Sequence, residues 1–285
     1  MYAITGVTGK VGGAVARNLL EAGLEVRAVV RDARKAAPWS DLGAEIAVAS
    51  SDDAAAMAKA FEGAEGVFLM NPPNFDPAPD FPDTRVAAAA FERAIGEAKP
   101  GNVVLLSTVG AHVREPNLLN NMLIVETALR ASSTPIAFLR AAWFMENASW
   151  DVEAARAGDV PAFLQPLDHA IPMVATADIA AAATALLRET WRGVRVVELE
   201  GPQRYSANDI AQGFADALGR PVRTTPVPRG TWESLFRAQG MQNPLPRMRM
   251  IDGFNEGWID FEGGAAEHRR GRTPLDAVLK RLVGG

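Results

Sequence analysis

Tyr2-Ala3-Ile4-Thr5-Gly6-Val7-Thr8-Gly9-Lys10-Val11-Gly12 opens the chain and decides how the rest is read. Tyr2 to Thr5 form a short apolar run of strand type. Val11 to Ala22 carries apolar Val15, Leu19 and Leu20 at helical spacing, and Gly23 ends it. Between strand and helix stand Gly6, Gly9 and Gly12. The first glycine permits a tight turn, the second lets the backbone approach a pyrophosphate, and the third lets helix and strand pack closely. Amide N–H groups at the helix start then face the phosphates. The expected phosphate-side residues are Gly6, Thr8, Gly9, Lys10, Val11 and Gly12.

Outward from this turn, apolar runs alternate with helical patterns. Glu25 to Val30, Ile46 to Val48, Gly66 to Met70, Val103 to Leu106 and Ile136 to Leu139 read as strands. Asp52 to Phe61, Thr84 to Ala98 and Leu118 to Ala131 read as helices. This alternation predicts right-handed βαβ units and a doubly wound parallel sheet, a Rossmann-type α/β fold. The register changes near residue 145. Five of the six tryptophans lie from Trp143 onward, prolines become frequent, and helices stand out only at Thr176 to Arg188 and Ala207 to Leu218. The expected organisation is a dinucleotide-binding core over 1–145 and a smaller, loop-rich substrate lobe over 146–285, with some segments returning to the core.

The second strand ends in Val29-Val30-Arg31-Asp32. An acidic residue there holds a ribose 2′-hydroxyl and favours NAD, whereas an arginine holds the 2′-phosphate of NADP. Arg31 comes first, Arg34 and Lys35 follow, and Lys10 adds a cation in the glycine turn. The charges favour NADPH (or NADP), with Arg31 and Asp32 standing as alternative determinants. Ligands in open α/β sheets bind at the carboxyl ends of strands. Met70, Asn71 and Pro72 after the fourth strand, and Ser107 and Thr108 after the fifth, are therefore further cofactor-side candidates.

Composition bounds the remaining options. The net charge of −5 argues against broad affinity for nucleic acid, which needs a basic face. No apolar run approaches the ~18 residues of a membrane span. No signal segment precedes the first strand, so the expected location is cytoplasmic. There are no cysteines, which excludes disulfides and thiolate chemistry, and His169 and His268 lack acidic ligand spacing, so no metal site is expected.

With these residues in view, the chain resembles the NmrA-like branch of the atypical short-chain dehydrogenases and reductases. The likeness rests on Thr5-Gly6-Val7-Thr8-Gly9, on Leu139-Arg140-Ala141-Ala142-Trp143-Phe144-Met145-Glu146-Asn147, on Ala177-Asp178-Ile179-Ala180 and on Tyr205 to Ala211. That family includes NADPH-dependent quinone, azo-dye and triphenylmethane-dye reductases, imine-reducing enzymes, and regulators that bind the dinucleotide without turnover. The resemblance implies that Phe144 and Asn147 lie beside the nicotinamide and substrate. Trp143, Phe144 and Trp150, with Phe254 and Trp258, are the expected lining of an apolar substrate pocket.

Ordinary short-chain dehydrogenases protonate an alkoxide with a tyrosine whose pKa a nearby lysine lowers. Here no tyrosine lies between Tyr2 and Tyr205, and no lysine between Lys99 and Lys280. Two readings follow. In the first, hydride goes to an electron-poor substrate (a quinone, an imine or iminium, or a dye) whose product needs little acid help, with His112 as the candidate proton donor. In the second, the protein is a noncatalytic NADP(H) sensor acting through protein contact. A small-molecule substrate is the expected partner of the first reading, and the outer helices of such sheets suit a homodimer.

Overall fold

In the computed structural model, which describes residues 1–284, eight strands lie side by side because most are apolar on both faces. They are β1 (Tyr2–Ile4), β2 (Val26–Val30), β3 (Glu45–Val48), β4 (Gly66–Met70), β5 (Val103–Thr108), β6 (Ile136–Ala141), β10 (Val194–Glu200) and β13 (Glu267–Arg270). The order is β13-β10-β6-β5-β4-β1-β2-β3, and every ladder is parallel. Ile4 pairs with Ala28 on one side and Phe68 on the other. Strand order therefore reverses at β1, and a crevice opens between β1 and β4 at their carboxyl ends. The fold is a Rossmann-type doubly wound sheet.

Alternate side chains feed two cores. Ile4, Phe68, Val104 and Leu139 point to one face, under α1 (Lys10–Glu21) and α7 (Thr176–Leu187). Ala3, Leu69, Leu105 and Phe138 point to the other, under α3 (Ala54–Phe61), α4 (Pro82–Ala98) and α5 (Asn120–Leu129). Each large apolar side chain removed from water contributes about 1.5–3 kcal/mol. A short α2 (Ala37–Ser40) precedes β3.

Strands β5 and β6 run two residues past their expected ends. Polar Ser107, Thr108 and Arg140 suggest a stop, yet Ser107 pairs with Arg140 and Thr108 with Ala141 in the ladder. The burial is tolerated because Ser107 and Arg140 share a buried partner, Glu126.

Past residue 142 the chain is richer in regular structure than its sequence suggests. It forms β7 (Trp143–Phe144), β8 (Asp159–Ala162), β9 (Ile171–Val174), β11 (Arg204–Tyr205) and β12 (Arg223–Pro226). These make a three-stranded sheet, β11-β9-β7, and a pair, β12-β8. Helices α6 (Val152–Ala157), α8 (Ala207–Leu218), α9 (Trp232–Ala238), α10 (Leu245–Glu256) and α11 (Leu275–Gly284) complete this part. Its core is separate, built on Met145, Phe214, Trp232, Phe254 and Leu279. Meanwhile β10, α7 and β13 rejoin the main sheet. No helix among the described residues is long and apolar enough to cross a membrane.

Candidate functional site

The glycine turn forms the floor of the crevice. Gly6 has φ +64°, a left-handed conformation that a side chain resists. A Cβ at Gly12 would stand 2.6 Å from the Thr5 carbonyl oxygen, so α1 packs directly on the end of β1. Gly9 is exposed, and a Cβ there would meet only the Gly6 oxygen at 3.3 Å. No side chain caps α1, and its first turn holds no acidic residue. The amides of Lys10, Val11 and Gly12 lie at a helix start whose partial positive charge suits an anion. Thr5 closes the other side of the crevice. Its hydroxyl donates to the Phe68 carbonyl at 3.1 Å and accepts from the Met70 N–H at 2.9 Å.

At the end of β2 the two rival determinants behave differently. Asp32 accepts from the Arg34 backbone N–H at 3.0 Å and from the Arg34 guanidinium at 2.8 Å. The Arg34 hydrogen bonds hold the Asp32 carboxyl below its ordinary range. Arg31 is exposed and forms no ion pair among the described residues. The geometry leaves Arg31 free and Asp32 engaged.

Met70, Asn71 and Pro72 are half-buried at the end of β4, and Thr108 is half-buried at the end of β5. Ser107 points the other way, and its hydroxyl donates to buried Glu126 at 2.6 Å. In the loop after β5, the His112 Nδ1 is buried with no partner, and so is the Asn121 Oδ1 on α5. The two elements are tied together by Asn120, whose amide donates to the Val113 carbonyl at 2.9 Å. Orphaned polar atoms of this kind mark positions for ordered water or a ligand. His112 also lies near Glu262, which Arg140 chiefly holds below the ordinary carboxyl range.

Across the crevice runs a 3₁₀ helix, Met145–Asp151, capped by Phe144. Residues three apart eclipse in such a helix, so Phe144, Asn147 and Trp150 follow one edge. Phe144 packs against the main-sheet core that includes Val7 and Val11. Trp150 is 62% exposed and meets Phe75 from the loop after β4, edge to face, with ring centroids 6.1 Å apart. Between them Asn147 is half-buried and makes no side-chain hydrogen bond among the described residues. Met145 and Ala148 follow the opposite edge into the second core. Glu146 receives the Thr176 N–H at 2.9 Å and the Thr176 hydroxyl at 2.7 Å, which caps α7. Trp143 faces the second core and packs edge-on against Phe254 at 5.2 Å.

Two features here escaped the sequence. Asp76, after β4, accepts from the backbone N–H groups of Gln242 and Asn243 at 2.7 and 2.6 Å, latching its loop to the second core. Asp151 follows Met145 and Ala148 along the inward edge, and burial raises its carboxyl to about 6. No local pattern flags either residue.

A parallel sheet with an uncapped glycine turn at its switch point, facing an aromatic edge from a second core, defines a Rossmann-type α/β protein of the dinucleotide-binding pattern. The chain belongs to the NmrA-like family, whose model matches residues 2–264. It is 33% identical over 228 residues to (4-alkanoyl-5-oxo-2,5-dihydrofuran-3-yl)methyl phosphate reductase of Streptomyces griseus, covering 78% of this chain and 76% of that protein. It is 27% identical to the NAD(P)H azoreductase of Xenophilus azovorans, covering 86% and 83%. Its fold resembles Citrobacter sp. triphenylmethane reductase complexed with NADP(H), with TM-score 0.83 at 21% identity over 99% of this chain and 100% of the other.

Proposed function

We propose that this protein is an NADPH-dependent oxidoreductase that reduces an electron-poor organic molecule: a quinone, an imine or iminium, or a dye-like acceptor. One observation carries the reading. Phe144, which leads the Asn147–Trp150 edge, packs on the core that holds Val7 and Val11 of the open glycine turn, and no tyrosine–lysine pair stands there among the described residues. Tyr2 begins β1, at the opposite end of the sheet. The Tyr205 hydroxyl accepts from the Leu275 N–H at 3.2 Å. Lys99 follows α4 at that same far end, and Lys280 is exposed on α11. The family relationship and the reductases named above support the same reading.

The residues at the turn fit a dinucleotide. The α1 amides of Lys10, Val11 and Gly12, with Thr8 and Gly9, would hold the pyrophosphate, and Arg31 the 2′-phosphate. Met70, Asn71, Pro72 and Thr108 would border the rest of the cofactor, and Ser107 would contribute through its backbone. When bound, the reduced nicotinamide supplies the hydride. Phe144 and Asn147 would position the acceptor, while Trp143 with Phe254 would close the apolar wall. An acceptor that is cationic or conjugated yields a neutral or stabilised product, so no strong acid is needed. His112, whose buried Nδ1 has no partner among the described residues, would pass a proton where one is required.

Absorbance at the reduced-nicotinamide band tests this directly. Purified protein and NADPH are mixed with a quinone, an azo dye, a triphenylmethane dye and a cyclic iminium, with NADH in parallel. Oxidation of NADPH by at least one acceptor is expected. Tight NADPH binding with no oxidation by any of them would overturn the reading in favour of a noncatalytic NADP(H) sensor.

A further inference from the structure

Six arginines are shielded from full exposure: Arg27, Arg140, Arg195, Arg247, Arg249 and Arg269. Five of them meet carboxylates. Arg27 meets Glu45, Arg140 meets Glu126, Arg195 meets Glu267, Arg249 meets Asp252 and Arg269 meets Glu189. Arg247 has no carboxylate partner among the described residues. Its guanidinium lies 4.6 Å from the centre of the Phe236 ring and 3.7 Å from the Met241 sulfur. Burial lowers its pKa, with no charged neighbour to offset the loss of water. A guanidinium removed from water without a counter-ion is an unfavourable arrangement that an arriving anion relieves.

Its placement ties it to the crevice. Arg247, Ile251 and Phe254 share one face of α10, being four and seven residues apart. Phe254 is the residue that packs on Trp143. Seven helical residues span about 10 Å, so Arg247 stands that far along α10 from the Trp143 contact. The start of α10 is braced by the two loops beside the glycine turn. Leu118, after β5, donates its N–H to the Pro246 carbonyl at 2.9 Å, and Asp76, after β4, binds Gln242 and Asn243. The first turn of α10 has neither an acidic residue nor a side-chain cap to neutralise the guanidinium.

We propose that Arg247 binds an oxyanion carried by the molecule being reduced, set within about 10 Å of the end that meets Trp143. The substrate class is thereby narrowed to acceptors bearing a carboxylate, sulfonate or phosphate. The planar fork of arginine suits all three. This rests on the reductase reading only for the chemistry at the far end, since binding of an anionic acceptor can be measured without turnover.

The test compares 1,2-naphthoquinone with its 4-sulfonate on the wild-type protein, Arg247→Met and Arg247→Lys. Binding is read from tryptophan fluorescence and reduction from NADPH oxidation. The wild type should bind the sulfonate about tenfold more tightly than the neutral quinone. Arg247→Met should erase that preference while leaving neutral-quinone and NADPH affinity within about twofold. Arg247→Lys should keep part of the preference. A wild type without charge preference would overturn the proposal even if both quinones are reduced. Equal loss of both quinones in Arg247→Met would assign Arg247 to packing on Phe236, and weakened NADPH binding would assign the anion to the cofactor. Either result also overturns it. A charge preference in binding with no reduction of either quinone would keep the anion site and count against the reductase reading alone.

Discussion

Asp32 occupies the position from which a carboxylate would select NAD, yet four contacts from Arg34 hold it. Arg31, one residue earlier, is exposed and has no such partner among the described residues, which makes it the candidate for a 2′-phosphate. Arg31→Ala should weaken NADPH binding about tenfold or more and leave NADH binding nearly unchanged. Titration of both nucleotides by fluorescence decides the matter, and an equal loss for the two would remove Arg31 from the phosphate site. Asp151 poses a different residue-scale problem, because burial alone raises its carboxyl to about 6. Between about pH 4, where the unfolded carboxyl titrates, and about 6, the folded chain keeps a proton that the unfolded chain releases. Its contribution to stability therefore falls as pH rises through that window and stays low above it. Asp151→Asn should leave stability unchanged at about pH 4 and raise it by roughly 1–2 kcal/mol at about pH 8. Urea unfolding at both pH values checks the sign. A variant that is less stable at the higher pH would show that the ionised carboxylate has a partner in the fold.

Elements explain why one half of the chain was legible and the other was not. Strands β1 to β6 are continuous apolar runs punctuated by glycine, proline and helix caps, so their order and type can be read directly. Strands β7 to β9, β11 and β12 are two to four residues long, with too few side chains to establish a period. The shape of the glycine turn was legible because it depends on spacing along the chain, and the position of Arg31 because it follows directly on β2. Ser107 was legible as an edge residue, but its partner Glu126 lies 19 positions away, so its inward direction was not. Arg247 and Asp151 are defined by partners they lack, which a sequence does not record. Glu146 shows how one element positions another. By binding both the N–H and the hydroxyl of Thr176, it fixes the start of α7 and, one residue on, the placement of Asn147. Glu146→Ala should cost about 1 kcal/mol in stability, the magnitude of a lost helix cap. It should also lower kcat/KM for any acceptor more than it changes NADPH affinity. Unchanged kcat/KM would separate the cap from the site.

At the scale of the whole molecule, one buried cluster joins β6, α5, β10 and the segment before β13. Arg140 on β6 is 1% exposed, and its guanidinium holds Glu126 of α5 with two parallel bonds at 2.9 and 2.8 Å. It also meets Glu262, from the segment before β13, and lies 3.9 Å from buried Glu198 on β10. Glu198 in turn accepts the Glu262 N–H at 2.7 Å. Burial alone would lower the Arg140 pKa, but hydrogen bonds and charge from Glu126 and Glu262 outweigh it and raise it. Replacing such a cluster with apolar groups can be neutral, whereas removing one partner leaves the others buried and unpaired. Arg140→Met removes the only cation that all three carboxylates share among the described residues, with a side chain of similar length. It should cost about 3–5 kcal/mol at neutral pH, more than any surface substitution. Arg140 chiefly holds the Glu262 carboxyl below its ordinary range, a contribution present above about pH 4 and lost on further acidification, so the deficit relative to wild type should shrink between about pH 7 and about pH 3. Denaturant unfolding of both proteins at these two pH values measures the difference. A deficit that stays constant would mean that the loss comes from packing around the Arg140 side chain, and that the cluster does not hold the sheet to α5 and the β13 segment by charge.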